Sequence, residues 1–202
     1  MALERYLDNM TIHVCISKYA TENPSSLYLP FEVWTWLTAL KHEQLSERFS
    51  VQLLHKDGNT LEQVLVLVHF STFAHWGLLY IDLPAEQLYF DDGHHCQPEP
   101  FVIEGAKKML DILRHLFPKN INLQSCFWSN QNNNDISRFG MDNQVVAASS
   151  KGQGSGSCGV GVILAARDII VQGSLAVNNH TWKYEDMRQL RKRLMLDIIK
   201  WG

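Results

Sequence analysis

Cysteine is scarce in this sequence, and its scarcity excludes a small disulfide-stapled scaffold. The 202 residues contain four cysteines, and no two of them form a Cys-x-x-Cys pair. They are scattered at Cys15, Cys96, Cys126 and Cys158. Dispersed thiols of this kind predict free cysteines in a reducing compartment. We therefore expect an intracellular protein that acts in the cytoplasm or nucleus. If the chain is a pathogen effector, these would be compartments of the host cell.

Long apolar runs and an excess of basic charge are also missing. No segment predicts a membrane span, and the N-terminus, charged from Glu4, has no apolar core of signal-peptide length. Lysine and arginine number 18 against 21 aspartates and glutamates, a formal net charge of -3, so no basic face for nucleic acid is expected. The length suits one monomeric domain over residues 1–202, which can bury a core without staples.

The sequence does contain one loop rich in glycine and serine that ends at a cysteine. It runs from Gln153 to Cys158, and its glycines permit positive φ and close backbone approach. The apolar residues that follow predict a buried helix starting at or just after Cys158. A thiol at a helix N-terminus faces unpaired N–H groups, which predicts a lowered pKa and a nucleophile. The alternative is a small buried cysteine at a helix start.

Apolar residues at helical spacing predict four further helices, over residues 3–19, 31–40, 102–117 and 185–201. The first of these has a predicted buried stripe of Leu3, Leu7, Met10 and Val14, widened by Ile12, Ile16 and Tyr19. The last carries a group of basic residues that we expect on its exposed face. They are Arg188, Arg191, Lys192 and Arg193.

Aliphatic and β-branched runs predict strands over residues 49–54, 62–70, 75–82, 88–91 and 121–127. The second run is apolar at every position from Val64 to Val68, which is typical of a central strand covered on both faces. The third and fourth runs predict an antiparallel hairpin that brings His75 and Asp91 to the same end. Polar residues over about 129–151 predict an irregular insertion. The mixture of elements predicts an α+β domain.

Nucleophilic thiol catalysis needs a sulfur, a base, a group that orients the base, and donors for the oxyanion. His75, Asp91 and Cys158 supply the first three in that order along the chain. Asp92 competes with Asp91 for the orienting role. Taken singly, His75 would more often be a structural histidine and Asp91 a turn residue. The run from His94 to Cys96 predicts a solvated loop rather than a metal site, since adjacent ligands rarely share one metal.

The motifs around these residues resemble those of the clan CE cysteine proteases, which include the SUMO-specific proteases and related deubiquitinases. The resemblance rests on His75-Trp76-Gly-Leu, on Tyr89-Phe-Asp91, and on Gln153 ahead of Cys158-Gly159-Val160. A weaker match is Tyr6-Leu7-Asp8-Asn9, where the family has Trp-Leu-x-Asp. The resemblance covers nearly the whole chain. It implies a papain-like cysteine protease fold, with a mixed central sheet flanked by helices.

Carried over by residue, the resemblance implies a complete catalytic set. Cys158 would attack the carbonyl carbon, His75 would act as general base and later as acid, and Asp91 would orient the imidazole. Gln153 would form the oxyanion hole together with the backbone N–H of Cys158. Gln144 is a fallback for Gln153, although it lies much further from the cysteine in the sequence.

The resemblance also implies a substrate channel. Trp76 would cover a narrow passage for a Gly-Gly tail, and Tyr6 would take the part of the family's tryptophan on the opposite side. Asn9 stands where the family has an acidic residue that contacts the modifier, so the identity of the modifier stays open. Ser157 stands where most members have aspartate, so support of the loop differs.

The implied reaction is hydrolysis of a peptide or isopeptide bond after the C-terminal glycine of ubiquitin or a ubiquitin-like modifier of the SUMO or NEDD8 type. It proceeds through a thioester and needs no cofactor or metal. Two alternatives stay open. Some clan CE relatives are acetyltransferases that use acetyl-CoA, and a related domain could bind a modifier without cutting it.

Overall fold

The computed structural model describes residues 7–53, 58–70, 75–85, 87–91, 100–125, 136–137, 158–177 and 187–201. Within them the helices are α1 (Asn9–Thr21), α2 (Phe31–Ala39), α3 (His42–Gln52), α4 (Pro100–Leu116), α5 (Ile121–Ser125), α6 (Cys158–Gln172) and α7 (Met187–Trp201). The strands are β1 (Ser26–Leu29), β2 (Gln63–Phe70), β3 (His75–Asp82), β4 (Gln87–Asp91) and β5 (Ile136–Ser137). Short 3₁₀ turns lie at Gly58–Thr60 and Gly173–Val177.

The five strands form one mixed sheet in the order β1-β2-β3-β4-β5. The outer pairs, β1 with β2 and β4 with β5, are parallel. The inner pairs are antiparallel, and their register sets Phe70 opposite His75 and Leu78 opposite Asp91. This mixed sheet with flanking helices confirms the α+β papain-like architecture.

Helices cover the sheet on both faces. One buried cluster joins β2 and β3 to α1 and α6, with Leu65 and Leu78 among its members. A second cluster joins alternate residues of the same strands, such as Val66 and Leu79, to α2, α3 and α4. Successive side chains of a strand point to opposite faces, so a central strand between two helical layers must be apolar at every position. The prediction from the run 64–68 is confirmed.

Most predicted elements are confirmed. Helices occupy 31–39, 100–116, 158–172 and 187–201, and strands occupy 63–70, 75–82 and 87–91. The hairpin of β3 and β4 is antiparallel, so its two termini with His75 and Asp91 lie at the same end of the sheet. These are the elements whose apolar pattern extends over eight residues or is bounded by a clear turn.

The strand predicted over 49–54 is wrong, since residues 49–52 belong to helix α3. Phe49 and Leu53 are buried and lie four residues apart, which is helical spacing. The predicted stripe of α1 is wrong at Met10 and Val14, which are 62% and 40% exposed. It is confirmed at Ile12 and Ile16, which are buried together with Cys15 and Ala20.

The strand predicted over 121–127 is wrong as well, because residues 121–125 form helix α5. Asn120 determines this outcome. Its side-chain oxygen accepts from the Leu123 N–H at 2.8 Å, a helix N-cap bond. Its amide donates to the carbonyl oxygens of Gly58 at 2.5 Å and Leu61 at 3.1 Å. The capped turn therefore ties α5 to the chain that leads into β2.

One described segment, Cys158–Ala176, is long and apolar enough by length and composition to cross a membrane, contrary to the expectation from sequence. However, 67% of its most apolar stretch is buried inside the protein, where α6 packs against α1 and β3. The core helix of a soluble protein passes the same test, so the segment is weak evidence for a membrane span.

Replacement of Asn120 by alanine should destabilise the fold. The side chain is fully buried, and its loss removes the acceptor of the Leu123 N–H. It also leaves the carbonyl oxygens of Gly58 and Leu61 with only longer hydrogen bonds, at 3.4 Å and 3.3 Å. We expect a free energy of unfolding lower by about 2 to 4 kcal/mol, measured by urea denaturation. Lys119→Ala, at an exposed neighbouring position, should change it little. Equal effects of the two substitutions would contradict this role.

Candidate active site

Cys158 is the first residue of α6, and its side chain is 8% exposed. The apolar residues that follow it are buried along almost the whole helix. This explains both why the chain is helical there and why the thiol lies at the edge of the core rather than in solvent. Cys158 belongs to the same buried cluster as Trp76 and Leu78 of β3. The predicted helix start is confirmed.

The sulfur of Cys158 lies at the beginning of β3. The backbone N–H groups of Trp76, Gly159 and Cys158 itself lie around it and lower the pKa of the thiol, as does the positive charge of Arg191. These groups favour negative charge on the sulfur. The arrangement can stabilise a thiolate or an adjacent oxyanion.

Burial nevertheless has the largest effect on the pKa of the Cys158 thiol. Desolvation raises the pKa of Cys158 above its ordinary value, and the N–H donors with Arg191 offset only part of that rise. The expectation of a lowered pKa from the helix N-terminus is therefore wrong in net direction. The cause is that α6 begins inside the core, so the charged form loses its water. A thiol in this state depends on a base to take its proton.

His75 is the first residue of β3, and its side chain is 9% exposed. Because the backbone N–H of its neighbour Trp76 lies near the Cys158 sulfur, His75 stands one residue from the strand position closest to the thiol. Two residues far apart in the sequence are thus brought to one end of the sheet. The connection is the packing of α6 on β3.

Asp91 is the last residue of β4 and pairs with Leu78 in the antiparallel register. This register brings the end of β4 beside the start of β3, where His75 lies. The ring of His75 lies 6.1 Å from that of Phe70, its cross-strand partner on β2.

Trp76 is held by two other rings. Its indole lies 4.3 Å from the imidazole of His69, tilted by 41°, and 5.9 Å from the ring of Phe31 in an edge-on arrangement at 82°. Phe31 and His69 also contact each other edge-on at 6.3 Å. Burial lowers the pKa of His69, which favours the neutral imidazole in this stack. The three rings fix the indole beside the thiol.

The start of α1 lies against the start of α6. A Cβ at Gly159 would lie 3.0 Å from Ile12 Cδ1 and 3.1 Å from Leu7 Cβ, so only glycine permits this approach without displacement. Asp8 caps α1 by accepting from the Thr11 N–H at 2.7 Å. Asn9, a predicted modifier contact, is the half-buried first residue of the helix. The N-terminal segment thus enters the fold next to Cys158.

Several predicted residues lie outside the part of the chain that the structure describes. They are Tyr6, Asp92, Gln144, Gly152, Gln153, Gly154, Gly156 and Ser157, the run from His94 to Cys96, and Cys126. The insertion predicted at 129–151 is described only at Ile136–Ser137, where it adds the short strand β5. Among the described residues, no group of three or more histidines, cysteines or acids could hold a metal ion.

Arg191 is the site residue that the sequence prediction placed wrongly. It was expected on the exposed face of the last helix, but it is 8% exposed, whereas Lys192 and Arg193 beside it are exposed. The signal was present in the sequence. Arg191 occupies a position of the apolar stripe that continues through Leu194, Ile198 and Trp201, at spacings of three and four residues.

Cys15 offers a comparison with Cys158 inside the same protein. It is fully buried and free, and burial raises its pKa to about 12, with a smaller contribution from Asp197. None of the donors that surround the Cys158 sulfur acts on it. Of these two thiols, only Cys158 combines burial with groups that favour the charged form.

Solved structures with the same fold belong to SUMO proteases. The chain matches the SUMO protease Ulp1 with its catalytic cysteine oxidised to a sulfenic acid at a TM-score of 0.67 and 13% identity, over 96% of this chain and 77% of that one. It matches the C-terminal protease domain of Ulp1 in complex with Smt3, the yeast ortholog of SUMO, at 0.66 and 14%, over 96% and 76%.

The Ulp1-like SUMO protease catalytic domain of Chaetomium thermophilum matches at a TM-score of 0.61 and 16% identity, over 95% of this chain and 71% of that one. No family model matches the chain, and no curated protein matches it in sequence. The likeness covers the chain almost from end to end. The chain therefore has the fold of the Ulp1-like SUMO proteases, and the clan CE resemblance seen in its motifs is supported by its three-dimensional structure.

Proposed function

We propose that this protein is a cysteine protease that hydrolyses the peptide or isopeptide bond after the C-terminal glycine of SUMO or a related ubiquitin-like modifier. The observation that carries the proposal is the packing of the Cys158 end of α6 on the start of β3, where Cys158 and Trp76 share one buried cluster and the Trp76 N–H lies near the sulfur. It joins the buried thiol at the start of α6 to the strand end that bears His75. A nucleophile and a base are thereby assigned to one end of the sheet.

In the proposed reaction, His75 takes the proton of Cys158 and the thiolate attacks the carbonyl carbon of the terminal glycine. Because burial raises the pKa of this thiol, the proton transfer to His75 is essential. The oxyanion is held by the Cys158 N–H together with Gln153. His75 then protonates the leaving amine, and a water molecule activated by the same imidazole hydrolyses the thioester to release the modifier and the free thiol.

The indole of Trp76 supports specificity for a glycine tail. The backbone N–H of the same residue lies near the Cys158 sulfur. The orientation of the indole is fixed by His69 and Phe31. A rigid aromatic plane beside the nucleophile admits a chain without side chains and excludes larger residues. Tyr6 and Asn9 are proposed to complete the binding surface from the side of α1, which packs beside Gly159.

SUMO is the modifier that the comparisons favour, since the similar structures are SUMO proteases and one is bound to Smt3. Ubiquitin and NEDD8 are the competing modifiers. A free catalytic thiol requires a reducing compartment, so we propose the cytoplasm or nucleus as the place of action.

A modifier-binding domain without catalysis is the second candidate, and the raised pKa of Cys158 is the observation that favours it. Such a domain would hold the modifier through the Trp76 surface while the thiol stayed protonated. Transfer of an acetyl group from acetyl-CoA by Cys158, with His75 and Asp91, is the third candidate. Labelling of Cys158 by acetyl-CoA would reveal it.

Modifier probes with a C-terminal electrophile test the reaction class directly. We expect a SUMO probe to form a covalent adduct on Cys158, because the probe places its electrophile where the glycine carbonyl would lie. Adducts are measured by intact mass, with NEDD8 and ubiquitin probes in parallel. Cys158→Ala should abolish the adduct, whereas Cys15→Ala, at the other buried thiol, should retain it. Binding of SUMO without any adduct would favour the silent domain.

Substitution tests which aspartate orients the imidazole of His75. Asp91 ends β4 beside the start of β3 that bears His75, and Asp92 follows it in the sequence. We expect Asp91→Asn to lower kcat/KM for cleavage of a SUMO fusion by about 100-fold or more. Asp92→Asn should have the smaller effect. The reverse order would assign the role to Asp92.

The aromatic support of Trp76 makes a separate prediction. Phe31→Ala removes the edge-on contact with the indole, so we expect kcat/KM for the modifier substrate to fall about threefold to tenfold. The rate at which iodoacetamide alkylates Cys158 should stay unchanged, because the thiol keeps its donors. Phe101→Ala is the matched control. Phe101 is also half-buried, but the rings that it contacts are those of Trp34 and Phe70, on the other face of the sheet. Equal losses from both variants would contradict the assignment.

A further inference from the structure

Arg191 carries a charge into the interior of the protein. Its side chain is 8% exposed, although arginine is seldom buried without a compensating group. The adjacent residues Lys192 and Arg193 are exposed, so the burial of Arg191 is specific to its position on α7. The position follows from the helical stripe that places Arg191 and Leu194 on one face.

That face of α7 packs on the core that α1 and α6 share. Leu194 is 4% exposed and belongs to the buried cluster that runs along α6, and Leu190 and Ile198 pack against it. Trp201 contacts Tyr19 near the end of α1 at 5.5 Å, and Asp197 acts on Cys15, one turn earlier in both helices, so α7 runs beside α1 in the same direction. The Arg191 end of α7 therefore lies toward the start of α1, which contacts Gly159 next to Cys158.

The charge of Arg191 reaches the sulfur of Cys158 and favours its ionised form. Inside the protein, charges interact more strongly than in water and are screened little by salt. A buried cation fixed by helix packing therefore differs from the exposed basic residues beside it, whose field at the sulfur is weakened by solvent. The effect opposes the desolvation that otherwise keeps the thiol protonated.

We propose that Arg191 is a positioning residue of the thiol site, whose buried guanidinium places positive charge close to the Cys158 sulfur and so increases the population of the thiolate. The inference rests on the proposed function for its role in turnover, where a larger thiolate population speeds attack on the carbonyl. The C-terminal helix is then part of the chemistry of the site as well as part of the fold.

The test is the pH dependence of alkylation of Cys158 by iodoacetamide, followed by mass spectrometry of the Cys158 peptide. The thiolate is the reacting form, so the rate rises with pH to a plateau. Removal of a nearby cation moves the midpoint to higher pH. For Arg191→Gln we expect alkylation about threefold to tenfold slower at neutral pH and an unchanged plateau at high pH. This should hold at both low and high salt.

Arg191→Lys retains the charge and should leave the midpoint near that of the wild type. Lys192→Gln and Arg193→Gln, which remove exposed charges from the same turn, should shift the midpoint little, and any shift should vanish in high salt. Arg191→Met provides a second neutral variant that keeps the aliphatic stem packed. Thermal unfolding identifies which neutral variants are folded, and the folded variant is used.

A folded neutral variant with the wild-type midpoint would overturn the proposal. An alkylation rate lowered by the same factor at every pH would also overturn it, because that indicates a displaced sulfur rather than a lost charge. If neither neutral variant folds, Arg191 serves the fold and the proposal is also wrong. Alkylation needs no substrate, so a protein that fails to cleave SUMO can still show the shift, and the two proposals fail separately.

Discussion

The packing of α6 on β3 joins the two halves of the candidate site. It places the Cys158 sulfur near the backbone N–H of Trp76, and this contact is possible only because α6 begins where β3 begins. The packing of α6 against β3 and α1 sets that alignment, and Gly159 allows α1 to approach closely enough to complete it. Displacement of the helix start would separate the thiol from His75 and from the indole at once. The helix position is therefore the constraint on which the chemistry depends.

The same packing creates the electrostatic difficulty of the site. A helix start inside the core removes water from the thiol, and desolvation raises its pKa more than the three N–H donors and Arg191 can offset. A prediction from the helix dipole includes only the N–H donors. The sequence does not show what covers the helix start, so it cannot include the desolvation of the thiol. The proposed mechanism follows from this balance. The N–H groups and Arg191 favour the thiolate of Cys158, but the proposed attack still requires proton transfer to His75.

Sequence patterns predicted the parts of the fold that are buried on both sides or bounded by turns. Strands β2 and β3 and helices α2, α4 and α6 follow from uninterrupted or periodic apolar residues. Helix α5 was missed because it has only five residues and depends on tertiary contacts such as the Asn120 bonds to Gly58 and Leu61. Helix α3 was missed because polar residues outnumber its few apolar ones, of which Leu45 and Phe49 are buried. Arg191 was misplaced because a cation in an apolar stripe looks exposed until the partner helix is known. His75, Trp76 and Cys158 were identified by motif, and the fold brings them to one end of the sheet.

Identity of only 13% to 16% with structures of the same fold separates the demands of folding from those of catalysis. A core needs apolar residues of suitable volume at the right period, and many sequences satisfy that need. A thiol site needs particular atoms at particular places, so its residues are far less replaceable. The likeness in fold therefore accounts for the sheet and the helices. Trp76 and Cys158 at the junction of α6 and β3 are also core residues, but a core alone would accept other apolar side chains there. Their occurrence beside His75 is what supports the proposed protease function.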